Sequence, residues 1–344
     1  MRDLRKVCTK YLLSILALLL CGCVENDVLI DYSAQKENKE KPIGFSGCFI
    51  NNALTRHANE LYEHLPSMGV WAWCTGMSGV SELVFDNQQV DYNADSLRWE
   101  YAPLKYWREA CDYDFYAYAP HEASQNNAQV SIDAQSRCIS ISGARLYGHN
   151  LQDTPTDSVK ELFRNTPDTD WMLARNGQHA VGEAGLKVEF IMQHLLSKLN
   201  ISVKADEELL NRPCLVGLSV DSVVVGALPA QGDFVQNATP QEWTAYDTTL
   251  YIKGTRACEL GAKPMYVMES LVFPQEVSED AMVTLYYTYH FSDNKHEHCC
   301  FRVPLSDAFA AFVSSRSYTI AFTISPKRIV FDTGVSHWEK YENL

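Results

Sequence analysis

Tyr113-Asp114-Phe115-Tyr116-Ala117-Tyr118-Ala119-Pro120 is the stretch that decides the fold class. In an extended chain Tyr113, Phe115, Ala117 and Ala119 fall on one side and Asp112, Asp114, Tyr116 and Tyr118 on the other, and Pro120 cannot continue the ladder. The same period of two recurs upstream. Ile43, Phe45 and Phe49 alternate with Gly44, Ser46 and Cys48, and Met68, Val70, Ala72 and Cys74 with Gly69, Trp71 and Trp73. Residues 96–101, 137–141, 171–174 and 186–192 continue the pattern, and so do 215–225, 265–273, 282–291, 298–303, 318–324 and 329–331. The chain is therefore predicted to be all-β. Helix is confined to short turns, one over residues 157–163 capped by Asp157 or Ser158 and one over 307–312 capped by Ser306.

The 344 residues suffice for two domains of roughly 150 residues each. Residues 193–198 separate the alternating set Leu186, Val188, Phe190, Met192 from Leu199, Ile201, Val203 and read as a crossing between sheets. The predicted domains are 42–195 and 196–344.

Arg2, Arg5, Lys6 and Lys10 precede an apolar run over 11–20 that closes on Leu20-Cys21-Gly22-Cys23. This pattern resembles a bacterial lipoprotein signal over residues 1–22, with Cys23 as the lipidated first residue. The run is about half of the roughly 20 residues a membrane-spanning helix needs. Residues 23–41 are polar and read as a flexible spacer between lipid and fold. Removing the signal takes four basic residues and one acidic residue, leaving 25 against 42 and a net charge of −17. Such a field repels phosphate, which excludes nucleic acid as a partner. Cys8 and Cys21 leave with the signal. The eight cysteines other than Cys23 contain no CxxC pair and read as mostly buried, reduced thiols.

No nucleophile elbow, zinc-protease helix, phosphate loop or dinucleotide fingerprint occurs, so neither an enzyme nor a cofactor is expected. Ser33-Ala-Gln-Lys36 matches a serine–lysine pattern but lies in the spacer, where nothing would align nucleophile and base. On a strand His296, His298 and Cys300 would share one face and offer zinc three donors. Nothing else in the sequence identifies a further ligand, and no metal site is assigned. Trp71, Trp73, Trp99 and Trp107, with Tyr101, Tyr106, Tyr116 and Tyr118, offer an alternative function, a stacking platform on a stand-alone surface glycan-binding lipoprotein.

Several phrases in order carry a family resemblance. Lys105-Tyr106-Trp107 precedes Tyr113-Asp114-Phe115-Tyr116-Ala117-Tyr118-Ala119-Pro120, then come His194-Leu195-Leu196-Ser197-Lys198-Leu199, Phe273-Pro274-Gln275 and Val335-Ser336-His337-Trp338. Together they resemble the fimbrillins, the pilus and adhesin subunits of Bacteroidetes. Glu25 and Asp27, just after Cys23, are similar to the surface-export signal of Bacteroidetes lipoproteins. The resemblance implies two transthyretin-like Greek-key β-sandwich domains and a structural or adhesive subunit on the outer-membrane surface. Its implied partners are other fimbrial subunits, the outer membrane through the lipid, and a host or bacterial surface glycan or protein.

The resemblance also implies assembly by strand exchange after cleavage by an arginine-specific protease. Arg56 lies in the polar connection 51–66 and matches that cleavage position. The strand displaced would carry Ile43, Phe45 and Phe49, whose burial at roughly 1.5 to 3 kcal/mol each rivals the ~5 to 15 kcal/mol of a domain. The candidate donor strand is 327–344, with Ile329, Phe331, Val335 and Trp338. A disulfide from Cys48 to the body would prevent the departure.

Overall fold

The structure is a computed structural model that describes residues 41–50, 67–121, 128–146, 168–180, 187–238, 242–246, 250–254 and 258–338. Strands are numbered in chain order. One sheet has seven, in the order β1 (Gly44–Ile50), β9 (Lys187–His194), β8 (Met172–Ala180), β5 (Cys111–Ala119), β2 (Ser67–Thr75), β3 (Ser81–Asn93), β4 (Arg98–Glu100). A second is ordered β13 (Trp243–Tyr246), β12 (Gln231–Val235), β7 (Ile139–Arg145), β6 (Gln129–Ile132). A third runs β14 (Leu250–Gly254), β11 (Leu215–Leu228), β18 (Met282–Phe291), β19 (His296–Pro304), with β15 (Cys258–Glu259) also on β11. The fourth runs β16 (Met265–Val272), β10 (Ser197–Ala205), β21 (Arg316–Ile324), β22 (Ile329–His337), and β17 (Gln275–Glu276) pairs with β20 (Ala311–Phe312).

The chain is all-β, with sheets stacked about shared cores in a sandwich architecture. Strand β5 shows why. Tyr113, Phe115, Ala117 and Ala119 enter one buried cluster with Met68, Val70, Ala72 and Cys74 of β2. Tyr116 and Tyr118 enter a second with Trp71 and Trp73, which continues through Ile139, Ile141 and Phe234. Strand β2, and β5 from Phe115 onward, are thus buried on two faces inside the seven-stranded sheet. The β-favouring aromatics fill the second face where a solvated strand would carry charge.

Leu195 and Leu196 carry the chain from β9 in the first sheet to β10 in the fourth, at the crossing the sequence indicated. Strand β7 pairs with β12, so the second sheet joins residues from both halves of the chain. The one α-helix among the described residues, α1 (Glu207–Leu210), is capped by Asp206, whose side chain accepts from the Glu208 amide.

Two expectations are corrected. Residues 307–312 are not a helix capped by Ser306. A 3-10 turn spans Leu305–Asp307, and Ala311–Phe312 pairs with β17, because Phe312 is drawn into an aromatic group with Phe309 and Tyr318. The cysteines are reduced where described, but only Cys74 and Cys111 are buried. Cys138 and Cys299 are half-buried, and Cys214 and Cys300 are exposed, on turns and sheet faces that no second layer covers. The predicted turn over 157–163 lies outside the described residues.

Candidate strand-exchange site

Strand β1 lies at the end of the seven-stranded sheet and runs parallel to β9, from Gly44 opposite Lys187 to Ile50 opposite Met192, with a bulge between Phe45 and Gly47. Its entry is clamped by the Lys105-Tyr106-Trp107 segment. The Ile43 amide donates to the Lys105 carbonyl at 2.8 Å and the Trp107 amide to the Lys41 carbonyl at 3.1 Å. The Tyr101 hydroxyl donates to the Ile43 carbonyl at 2.7 Å. Burial pushes the pKa of that hydroxyl up, so it remains a neutral donor.

Among the described side chains, two anchor the strand and its entry. Ile43 and Phe45 are 1% and 4% exposed. The Phe45 ring stacks on Phe190 at 5.9 Å and meets Phe85, Tyr101 and Phe115 edge-on at 5.9, 5.7 and 6.4 Å. Phe49 lies within β1 by its backbone, paired with Ile191, and its side chain is outside the described residues. Withdrawal of β1 would open a groove floored by Val188, Phe190, Phe85 and Phe115 beside the unpaired edge of β9. Such a groove accepts one extended segment bearing apolar side chains at alternate positions.

The candidate donor segment forms β22 along β21, from Ile329 opposite Ile324 to His337 opposite Arg316, at the end of its sheet. Ile329 and Phe331 are half-buried, and Phe331 meets Phe322 at 5.8 Å. Beyond them the strand is exposed, and Val335 keeps 56% of its surface in solvent. Trp338 is buried again. Its ring stacks on His194 at 3.8 Å with 7° between planes, and its amide donates to the Ser315 carbonyl. His194 Nδ1 lies 2.9 Å from the Asp170 carboxylate, both side chains fully enclosed. In the sequence Trp338 is a candidate donor-strand residue and His194 appears only inside a longer phrase, and nothing there signals Asp170 as the partner.

The structure corrects the aromatic platform, of whose eight residues Tyr106 alone is exposed. Trp71, Trp73 and Trp99 are 4%, 8% and 7% exposed, and Trp107 is half-buried against Tyr113 and Phe115. Trp71 stacks on Tyr118 and Trp73 meets Tyr116 because both pairs close the second core of the seven-stranded sheet, so no sugar can reach them. Cys23 and Arg56 lie outside the described residues, as does the side chain of Cys48. No helix among the described residues is long and apolar enough to cross a membrane.

A model of the fimbrillin-like family matches residues 55–338. The chain belongs to the fimbrillin-like family. Among solved structures, this fimbrillin-like chain is similar to a fimbrial protein from Bacteroides vulgatus, with a TM-score of 0.61 at 14% identity over 87% of this chain and 99% of that one. It is also similar to a candidate cell adhesion protein from Bacteroides ovatus, with a TM-score of 0.53 at 16% identity over 88% and 99%. At such identities the likeness shows the fold. None of the curated proteins matches the fimbrillin-like chain.

Proposed function

We propose that this fimbrillin-like protein is a structural or adhesive fimbrial subunit on the cell surface, exported as a lipoprotein on Cys23 and assembled by strand exchange after cleavage at Arg56. Its partners in that role are further fimbrial subunits. The observation that carries the reading is β1. It is an end strand, held by the buried side chains of Ile43 and Phe45 and a short clamp, and it is joined to β2 by the connection that contains Arg56. Cutting there frees β1 from the rest of the chain, so only non-covalent contacts retain it. Burial of Ile43 and Phe45 contributes about 3 to 6 kcal/mol, which an incoming strand with equivalent side chains replaces.

The donor in this reading is 327–344. Strand β22 itself is half-buried only over Ile329–Phe331 and exposed beyond, so on leaving it gives up mainly its ladder to β21, those side chains and the Trp338 stack on His194. Two domains, 42–195 and 196–344, belong to the same proposal, and a first core built wholly from residues between Ile43 and Met192 supports them. Deleting 327–344 is expected to abolish polymers on denaturing gels of unheated samples while leaving export intact. Polymer ladders from the truncated chain would contradict the assignment.

A further inference from the structure

The exposed face of β18 and β19 holds three histidines whose hydrogen-bond partners fix where their lone pairs point. Cross-strand pairing sets His290 opposite His296 and Thr288 opposite His298. His290 Nδ1 and His296 Nδ1 are 2.8 Å apart. Two imidazole nitrogens at that distance share either one proton or one metal ion, since two bare lone pairs repel.

Asp221 on β11 organises the patch. As a carboxylate it only accepts, so the hydroxyls of Thr288 at 2.6 Å and, at a longer 3.4 Å, Ser219 donate to it. With its own proton directed to Asp221, Ser219 Oγ offers a lone pair to His290 Nε2, 3.0 Å away, in the tautomer that carries the ring proton there. That leaves His290 Nδ1 bare and aimed at His296. By the same accounting Thr288 Oγ, 2.7 Å from His298 Nδ1, accepts its proton and leaves His298 Nε2 bare. A ligating histidine held by a hydrogen bond at its other nitrogen, and that bond backed by a carboxylate, is the usual outer-shell arrangement of a metal site.

We propose that His290 Nδ1 and His296 Nδ1 bind a late first-row divalent cation, Cu²⁺ or Ni²⁺ in preference to Zn²⁺, with His298 beside them and water completing the shell. Metal–nitrogen bonds of about 2.0–2.1 Å at a right angle place two imidazole nitrogens roughly 2.9 Å apart, whereas a tetrahedral ion needs about 3.3 Å. The observed 2.8 Å is that of a shared proton, and a turn of exposed His296 brings the two nitrogens to adjacent positions of a tetragonal ion with less separation than a tetrahedral ion needs. His290 is the half-buried, fixed ligand. His296 is exposed, so it can turn and move its proton from Nδ1 to Nε2 as the ion enters. No group of three or more His, Cys, Asp or Glu among the described residues forms a ready cage, and the site is an open two-nitrogen chelate.

The test is calorimetric titration of the full chain with Cu²⁺, Ni²⁺ and Zn²⁺ in a non-chelating buffer, together with the electron paramagnetic resonance spectrum of the Cu²⁺ form. Saturable binding in the order Cu²⁺, Ni²⁺, Zn²⁺ and at least two coupled nitrogens are expected. His290→Ala and His296→Gln should each weaken Cu²⁺ by more than tenfold and remove one nitrogen from the spectrum. Ser219→Ala, a positioning variant, should weaken it by about tenfold with the nitrogen count kept. His296 is exposed, so its variant folds even if His290→Ala does not. Absence of saturable binding, or unchanged affinity and spectrum in His296→Gln, would overturn the proposal.

Discussion

Gly69 sits where β2 passes under Tyr118, and a Cβ there would come within 2.1 Å of the ring. The glycine lets Tyr118 lie across the strand, stack on Trp71 at 5.3 Å and reach Asn87 at 3.0 Å. Gly69→Ala is therefore expected to lower stability by about 1 to 3 kcal/mol through overpacking, read as a fall in denaturant midpoint. At the far end of β2, burial pushes the Cys74 thiol up to about 11 and the nearby Tyr113 hydroxyl to about 12. Both groups are neutral when folded and ionise more readily when unfolded. Their contribution is complete below the unfolded thiol value of 9.0 and is lost as pH climbs through about 11. Stability should thus decline above pH 9, and maleimide at neutral pH should label exposed Cys214 and Cys300 while sparing Cys74. A Cys74 that labels as fast as Cys214 would contradict its placement.

At the scale of strands, β1 and β22 differ in what they would forfeit on leaving. Phe45 touches four aromatic rings, so Phe45→Ala is expected to cost about 3 to 5 kcal/mol in the uncleaved chain. The same substitution should speed capture of a partner strand once 51–66 is cut, because the resident strand is held less firmly. Slower capture, followed by mixing cleaved subunits and counting polymers, would count against displacement of β1. Legibility in the sequence also varied by strand. Strands β2, β5, β9, β18 and β21 were readable because each keeps strict alternation over seven or more residues. Strand β3 was not. Its buried Phe85 and Val90 are five residues apart, and bulges in the β2 pairing with Asn87 at positive φ shift the period midway. Strands β6, β12 and β13 are only four or five residues long, too short to show a period, and β12 pairs across the chain halves with β7, which leaves no local signal. The aromatic platform misled because burial on both faces of β2 gives the composition that a surface platform would also have. The metal-binding face was half legible. His296 and His298 were visible by spacing, but His290 and Asp221 reach them only through the register of β18 and β11.

For the whole molecule, the candidate strand-exchange account makes one cut the decision between two fates. On that account an intact chain keeps Ile43 and Phe45 in the first core and would remain a lipid-tethered subunit. A chain cut at Arg56 would, on the same account, present the β9 edge and the groove beside it to a neighbour's C-terminal strand. The most direct measurement is the N-terminus of the subunit recovered from polymers on the surface of its native-type host, by mass spectrometry. The account predicts a start at His57 with residues 41–50 missing from the polymer. Polymers whose subunits begin at acylated Cys23 and retain 41–50 would contradict it.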